Sequence, residues 1–140
     1  MKDVIKRKRP GALLGVYHCP WTDEEFKGAR RRVLGLDLDE LADVVDVFSP
    51  MVYHGRMGRR TDWVTEYVQW LSRRLRTRAK IWPIVQAHGD TYEISANEFE
   101  TVLRGGMSGA ATGVMMFTAH AVASDDGKMR VMRQLYREGE

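Results

Sequence analysis

All four histidines of this 140-residue chain stand at or just past the end of an apolar, β-prone run: His18, His54, His88 and His120. Tyr17, Trp21, Tyr53, Gln86 and Thr118 cluster around the same run ends, and Trp82 lies inside one. Side chains of these types suit a sugar. Aromatic rings stack on the C–H faces of a pyranose, and imidazole, amide and hydroxyl groups pair with its hydroxyls. Two other readings compete. A histidine at a strand end is often only a surface residue. A zinc site would use the same imidazoles, but it needs three converging ligands, and no HxxxH or Cys/His spacing occurs here.

Positioning such groups requires elements that bring the run ends together. Four runs read as strands: Ala12–His18, Val47–Tyr53, Lys80–Ala87 and Gly113–Thr118. Each is apolar on both alternating faces, as in a parallel sheet covered on both sides. A helical pattern follows each one. Thr22 with Glu25 is a capping box for a helix ending near Gly35, and Asp37–Val45 adds a short second helix. Thr61 or Asp62 opens a helix to about Arg76, striped by Val64, Tyr67, Val68 and Leu71. Ser95 with Glu98 is a second capping box, and Gly105-Gly106 reads as a helix stop. Asp125 or Asp126 caps a last helix carrying Met129, Met132, Leu135 and Tyr136.

The order β-α-β-α-β-α-β-α predicts an α/β fold with a parallel sheet. Residues 1–140 read as one domain, with a basic lead-in over residues 1–10 that looks like the tail of a preceding helix. An open doubly wound sheet is the alternative, but no glycine-rich phosphate loop joins any strand to its helix. Polar and aromatic residues at the C-terminal ends of all four strands are the mark of a (β/α)8 barrel rim. A whole barrel takes about 250 residues, so this chain predicts half of one. Alternation places Ser49, Met51 and Tyr53 on one face of the second strand, and Trp82, Ile84, Gln86 and His88 on one face of the third. Both sets are expected to point into the barrel.

The same segments resemble a known family. DVFSPMVYH (Asp46–His54) resembles the sixth-strand signature D-x-x-x-P-M-x-Y of glycoside-hydrolase-like barrel domains. KIWPIVQA (Lys80–Ala87) resembles their seventh strand, with its Trp/Pro pair followed by Gln, and GVMMFT (Gly113–Thr118) their last. The resemblance runs from Leu13 to Tyr136. It implies sugar-contacting roles for Tyr53, Trp82 and Gln86. It also implies that the acid/base carboxylates sit on earlier strands, absent from this sequence. No Asp or Glu ends any of the four strands, whereas glycosidases need two carboxyls flanking the scissile bond. Asp90, in the loop after the third strand, is the remote catalytic candidate.

Hydrophobic residues make up 44% and charged residues 29%, which fits a soluble globular domain. Cys19 is the only cysteine, so no intrachain disulfide forms, and no cofactor is implied. The apolar stretch Gly113–Phe117 is far too short to span a bilayer. No signal peptide is legible, so a cytoplasmic location is the default expectation. The net charge is +3, and Lys6–Arg9 and Arg30–Arg32 are basic clusters. Nucleic-acid binding is therefore a third hypothesis, behind a carbohydrate partner and a non-catalytic sugar-binding or assembly module. A half barrel leaves edges unpaired and its inner face open. The expected protein partner is a second half barrel, either another copy or an N-terminal half.

Overall fold

The computed structural model describes residues 2–76, 78–89 and 92–138. After a first helix, α1 (Lys2–Lys8), come β1 (Gly15–His18), α2 (Ala29–Arg32), α3 (Leu38–Val44) and β2 (Val47–Val52). Then follow α4 (Asp62–Leu75), β3 (Lys80–Ile81), β4 (Ile84–Gln86), α5 (Ala96–Gly106), β5 (Met115–Phe117), α6 (Ala119–Ala123) and α7 (Asp126–Glu138). The chain is an α/β structure with one parallel sheet in the order β1-β2-β4-β5, β3 also pairing with β2.

Strand neighbours follow chain order throughout. A doubly wound sheet reverses its order at a switch point, and this one does not. The crossover helices also pack in succession, α3 on α4, α4 on α5 and α5 on α7. They therefore form one layer on one face. Val16, Phe48, Val52, Ile81, Val85 and Ala87 meet that layer, packing with Val64, Val68 and Leu71 of α4 and Phe99, Val102 and Leu103 of α5. The opposite face carries Tyr17, Ser49, Met51, Ile84, Gln86, Met115 and Phe117. The register aligns Tyr17 with Ser49, Met51 with Ile84, Ile84 with Met115, and Gln86 with Phe117.

Three expectations change. The third run is two strands, not one. Pro83 has no N–H to give the ladder, so pairing breaks at Trp82-Pro83, although Trp82 N still reaches Phe48 O at 2.9 Å. One arm of the expected capping box at Thr22 forms, Glu25 Oε2 accepting from Thr22 N at 2.7 Å. No long helix follows it, because Phe26 (φ 50°), Lys27 (φ 55°) and Gly28 (φ 72°) turn left-handed and only Ala29–Arg32 is α-helical. Finally, Gly105-Gly106 does not stop α5, which runs through both. A side chain at Gly105 would sit 2.7 Å from Thr65 Oγ1, and one at Gly106 2.9 Å from Val114 Cγ2. These glycines let α5 pack closely on α4 and the sheet.

At the opposite end of the sheet, α1 is tied to the start of β2. Asp46 accepts from Leu14 N at 2.9 Å and pairs with Lys2 (3.1 Å) and Lys6 (3.2 Å). The Leu14 N–H and these ammonium groups hold its carboxyl down to about 2, from an ordinary 3.8. The unfolded chain takes up this proton first as the pH falls. The stability Asp46 contributes is thus present above about pH 4 and lost toward pH 2. Asp46→Asn is expected to flatten the acid limb of a urea-denaturation series over that window. An unchanged slope would remove Asp46 from the account. No helix among the described residues is long and apolar enough to cross a membrane.

Candidate functional site

At the C-terminal end of the sheet, two aromatic rings meet across an intervening strand. Tyr53 follows β2 and Phe117 ends β5, with β4 between them. Their centroids lie 5.3 Å apart at 33°, a tilted stack. The Arg56 guanidinium carbon stands 5.7 Å from the Tyr53 ring centre and 5.3 Å from that of Phe117, within cation–π range. Phe117 keeps 36% of its surface exposed. Burial pushes the Tyr53 hydroxyl's pKa up, so it remains a hydrogen-bond donor through neutral pH.

Gln86 lies in the strand between these rings and is almost wholly buried. Its Oε1 accepts from Gly55 N at 2.9 Å and Arg56 N at 3.2 Å, and its Nε2 donates to His88 O at 2.8 Å. The amide is thus occupied by main chain. It positions the β2–α4 loop, and through it Arg56. The loops are further interlocked at Gly55, where a side chain would stand 2.0 Å from the Tyr92 hydroxyl. Tyr92 in turn donates to Glu98 at 3.3 Å.

The histidines divide. His88 and His120 are exposed and border a groove of about 750 Å³ together with Glu93, Thr118, Asp126 and Lys128. Thr118 Oγ1 is used to cap α6, accepting from Ala121 N at 3.2 Å. His18 and His54, expected at the rim, are each only 1% exposed and lie inside the fold. His18 shares the helix-facing side of β1 with Val16 and meets Phe48 edge-on, with centroids 5.8 Å apart. Its Nδ1–H donates to Cys19 O at 2.9 Å. Burial lowers its pKa to about 4, against the acceptor effect of that carbonyl, so the ring is neutral. The second, His54, donates from Nε2 to Glu98 Oε1 at 2.8 Å.

The remaining expected residues scatter. Tyr17 is exposed on edge strand β1, on the same face as the ring pair. Trp21 stacks on Phe26 at 4.6 Å, in the β1–α2 turn. Trp82 precedes Gln86 by four positions, roughly 13 Å down the strand, and its indole N–H is spent on Thr112 Oγ1 at 3.0 Å. It is not brought to the rim. Asp90 lies outside the described residues. Among the described residues, no three His, Cys, Asp or Glu side chains are grouped to hold a metal ion.

Arg56 and Phe117 were not among the expected site residues, nor was Glu93 in the loop after the third strand, and Asp126 was read only as a helix cap. The aromatic end of the last strand was the available signal for Phe117. The two acids reach the groove from a loop and a helix start, so inspection of strand ends could not find them.

No family model matches the chain, and no curated protein matches it. Among solved structures, it is similar to bee venom hyaluronidase in complex with a hyaluronic acid tetramer. The TM-score is 0.56 at 18% identity, over 96% of this chain and 47% of that one. The likeness is one of fold, and the chain spans about half the length of that structure.

Proposed function

We propose that the chain is the C-terminal half of a glycoside-hydrolase-like β/α barrel and binds carbohydrate at the mouth of that barrel. In this reading it supplies substrate contacts, and the catalytic carboxylates come from outside it. The winding supports the half barrel: four βα units in sequential order, with helices on one face only. Matching 47% of a hyaluronidase chain over almost its entire length adds to this support. The sheet ends at β1 and β5, and exposed apolar residues lie toward both ends: Tyr17, Val33 and Leu34 near the first, Phe117 and Tyr136 near the second. Unpaired edges and apolar surface of this kind favour a covering partner. A second half barrel, whether another copy or an N-terminal half, would pair both edges.

The carbohydrate reading rests on one observation, the Tyr53–Phe117 ring pair at the strand tips beside a groove of hydrogen-bonding side chains. Stacked rings offer an apolar platform for a sugar face, and His88, His120, Glu93 and Asp126 offer partners for its hydroxyls. Calorimetric titration with neutral and uronate-containing oligosaccharides tests it. Tyr53→Ala and Phe117→Ala are each expected to weaken binding about tenfold, equivalent to about 1.4 kcal/mol. Absence of glycan binding, or unchanged affinity in both variants, would refute the proposal.

A further inference from the structure

A cleft of about 250 Å³, sharing no lining residue with the groove at His88 and His120, opens between the β1–α2 turn, α3 and α4. Its walls carry four arginines, Arg30, Arg31, Arg32 and Arg74, against two aspartates, Asp23 and Asp37. Both aspartates are already engaged. Asp23 is gripped by Arg30 through one oxygen and by Arg74 through the other. Asp37 accepts from Asp39 N and Glu40 N and pairs with Arg31 at 2.7 Å. The arginines are not used up in the same way. A guanidinium has five N–H donors. Arg31 meets Asp37 through Nε, and Arg32 is exposed on the cleft wall with no carboxylate within ion-pair range among the described residues.

The floor is fixed rather than adaptable. The Arg30 side chain is only 3% exposed, a charge held out of water by Asp23 and by Leu36 O at 3.3 Å. Arg74 is anchored to Asp39 from the far side. The left-handed turn Phe26-Lys27-Gly28 places α2 so that three consecutive arginines reach this one cleft.

We propose that this cleft binds a tetrahedral oxyanion, sulfate or phosphate, whose oxygens take the unused N–H groups of Arg31 and Arg32 above the buried charge of Arg30. Planar forked donors match such oxygens well. Arg32, with no carboxylate partner among the described residues, and the N–H groups of Arg31 beyond its Nε give the walls a cationic excess that favours an anionic ligand. The site is separate from the sugar-binding mouth and does not depend on it.

Titration with sodium sulfate and inorganic phosphate against sodium chloride, at constant ionic strength, tests this by calorimetry and by thermal shift. Saturable millimolar binding of sulfate or phosphate is expected, with no response to chloride. Arg32→Ala, which breaks no ion pair, is expected to weaken binding at least fivefold. Tyr53→Ala is expected to leave it unchanged. A sulfated oligosaccharide that displaces sulfate, when its desulfated counterpart does not, would identify a glycan ester as the source. Displacement by neither would leave the free ion as the ligand. Equal responses to sulfate and chloride, or wild-type binding in both Arg32→Ala and an Arg31→Ala/Arg32→Ala double variant, would overturn the proposal.

Discussion

Lowering the pH from 7 to 4.5 will cost the fold most of about 3 kcal/mol through His18 alone. The ring is buried against Phe48 at the end of β1, and burial holds its pKa at about 4, against an ordinary 6.5. Above pH 6.5 the side chain is neutral in both states and has no effect on the balance. Between 6.5 and 4 the unfolded chain binds a proton that the folded chain refuses, so stability falls as pH falls. Each pKa unit is worth about 1.36 kcal/mol, and a fall to about 4 gives the figure above. That is a large share of the roughly 5–15 kcal/mol of a typical domain. The Arg30 charge works in the same direction, and the Cys19 carbonyl against it. Urea denaturation at half-unit pH steps measures the effect. His18→Gln should be less stable at neutral pH yet show a much flatter profile between 6.5 and 4.5. Parallel profiles for the variant and wild type would mean that His18 is not the acid-sensitive group.

Gln86→Leu should destabilise the protein by about 2–4 kcal/mol and abolish ordered ligand binding at the rim. The substitution keeps the volume but removes the acceptor of Gly55 N and Arg56 N and the donor to His88 O. A buried polar group left unpaired costs about 1–3 kcal/mol. Three groups are affected, and loop movement toward water recovers part of the loss. The two amides are the direct reporters. Hydrogen exchange at Gly55 and Arg56 should accelerate about a hundredfold, equivalent to about 2.7 kcal/mol. Gln86→Glu keeps an acceptor for both amides and should fall between the variant and wild type. If Gln86 were a direct sugar ligand and not a positioning residue, Gln86→Leu would lose affinity with no change in amide protection.

The alternation of apolar residues was enough to locate the four runs that carry the parallel sheet, though not the break of the third into β3 and β4, and to sort the sides of the central ones. Ser49, Met51, Ile84 and Gln86 turn away from the helices, as period-two reading requires. Capping chemistry was equally local. Asp37, Ser95 and Asp125 accept main-chain N–H groups at their helix starts. Helix α2 was not readable in this way, because Glu25 reaches back to Thr22 N but the following turn is left-handed.

The histidines show where local reading stops. A residue at a strand end can lean outward into the helix layer or inward to the rim, and the choice depends on register and neighbouring loops. Strand parity put His18 beside Phe48, and Glu98 of α5 drew His54 inside. His88 and His120 remained at the groove.

Residue type and spacing by themselves determined the strands, most helix starts and the parallel α/β class, because each depends on contacts within a few positions. The tertiary structure alone decided which side chains share a space. It joined Tyr53 to Phe117, separated by 64 positions in the chain, set the Gln86 amide against the β2–α4 loop, and gathered Arg30–Arg32 with Arg74. Such meetings depend on which strands become neighbours and on how the loops between them close. Both are properties of packing over the whole chain, to which short-range periodicity is blind.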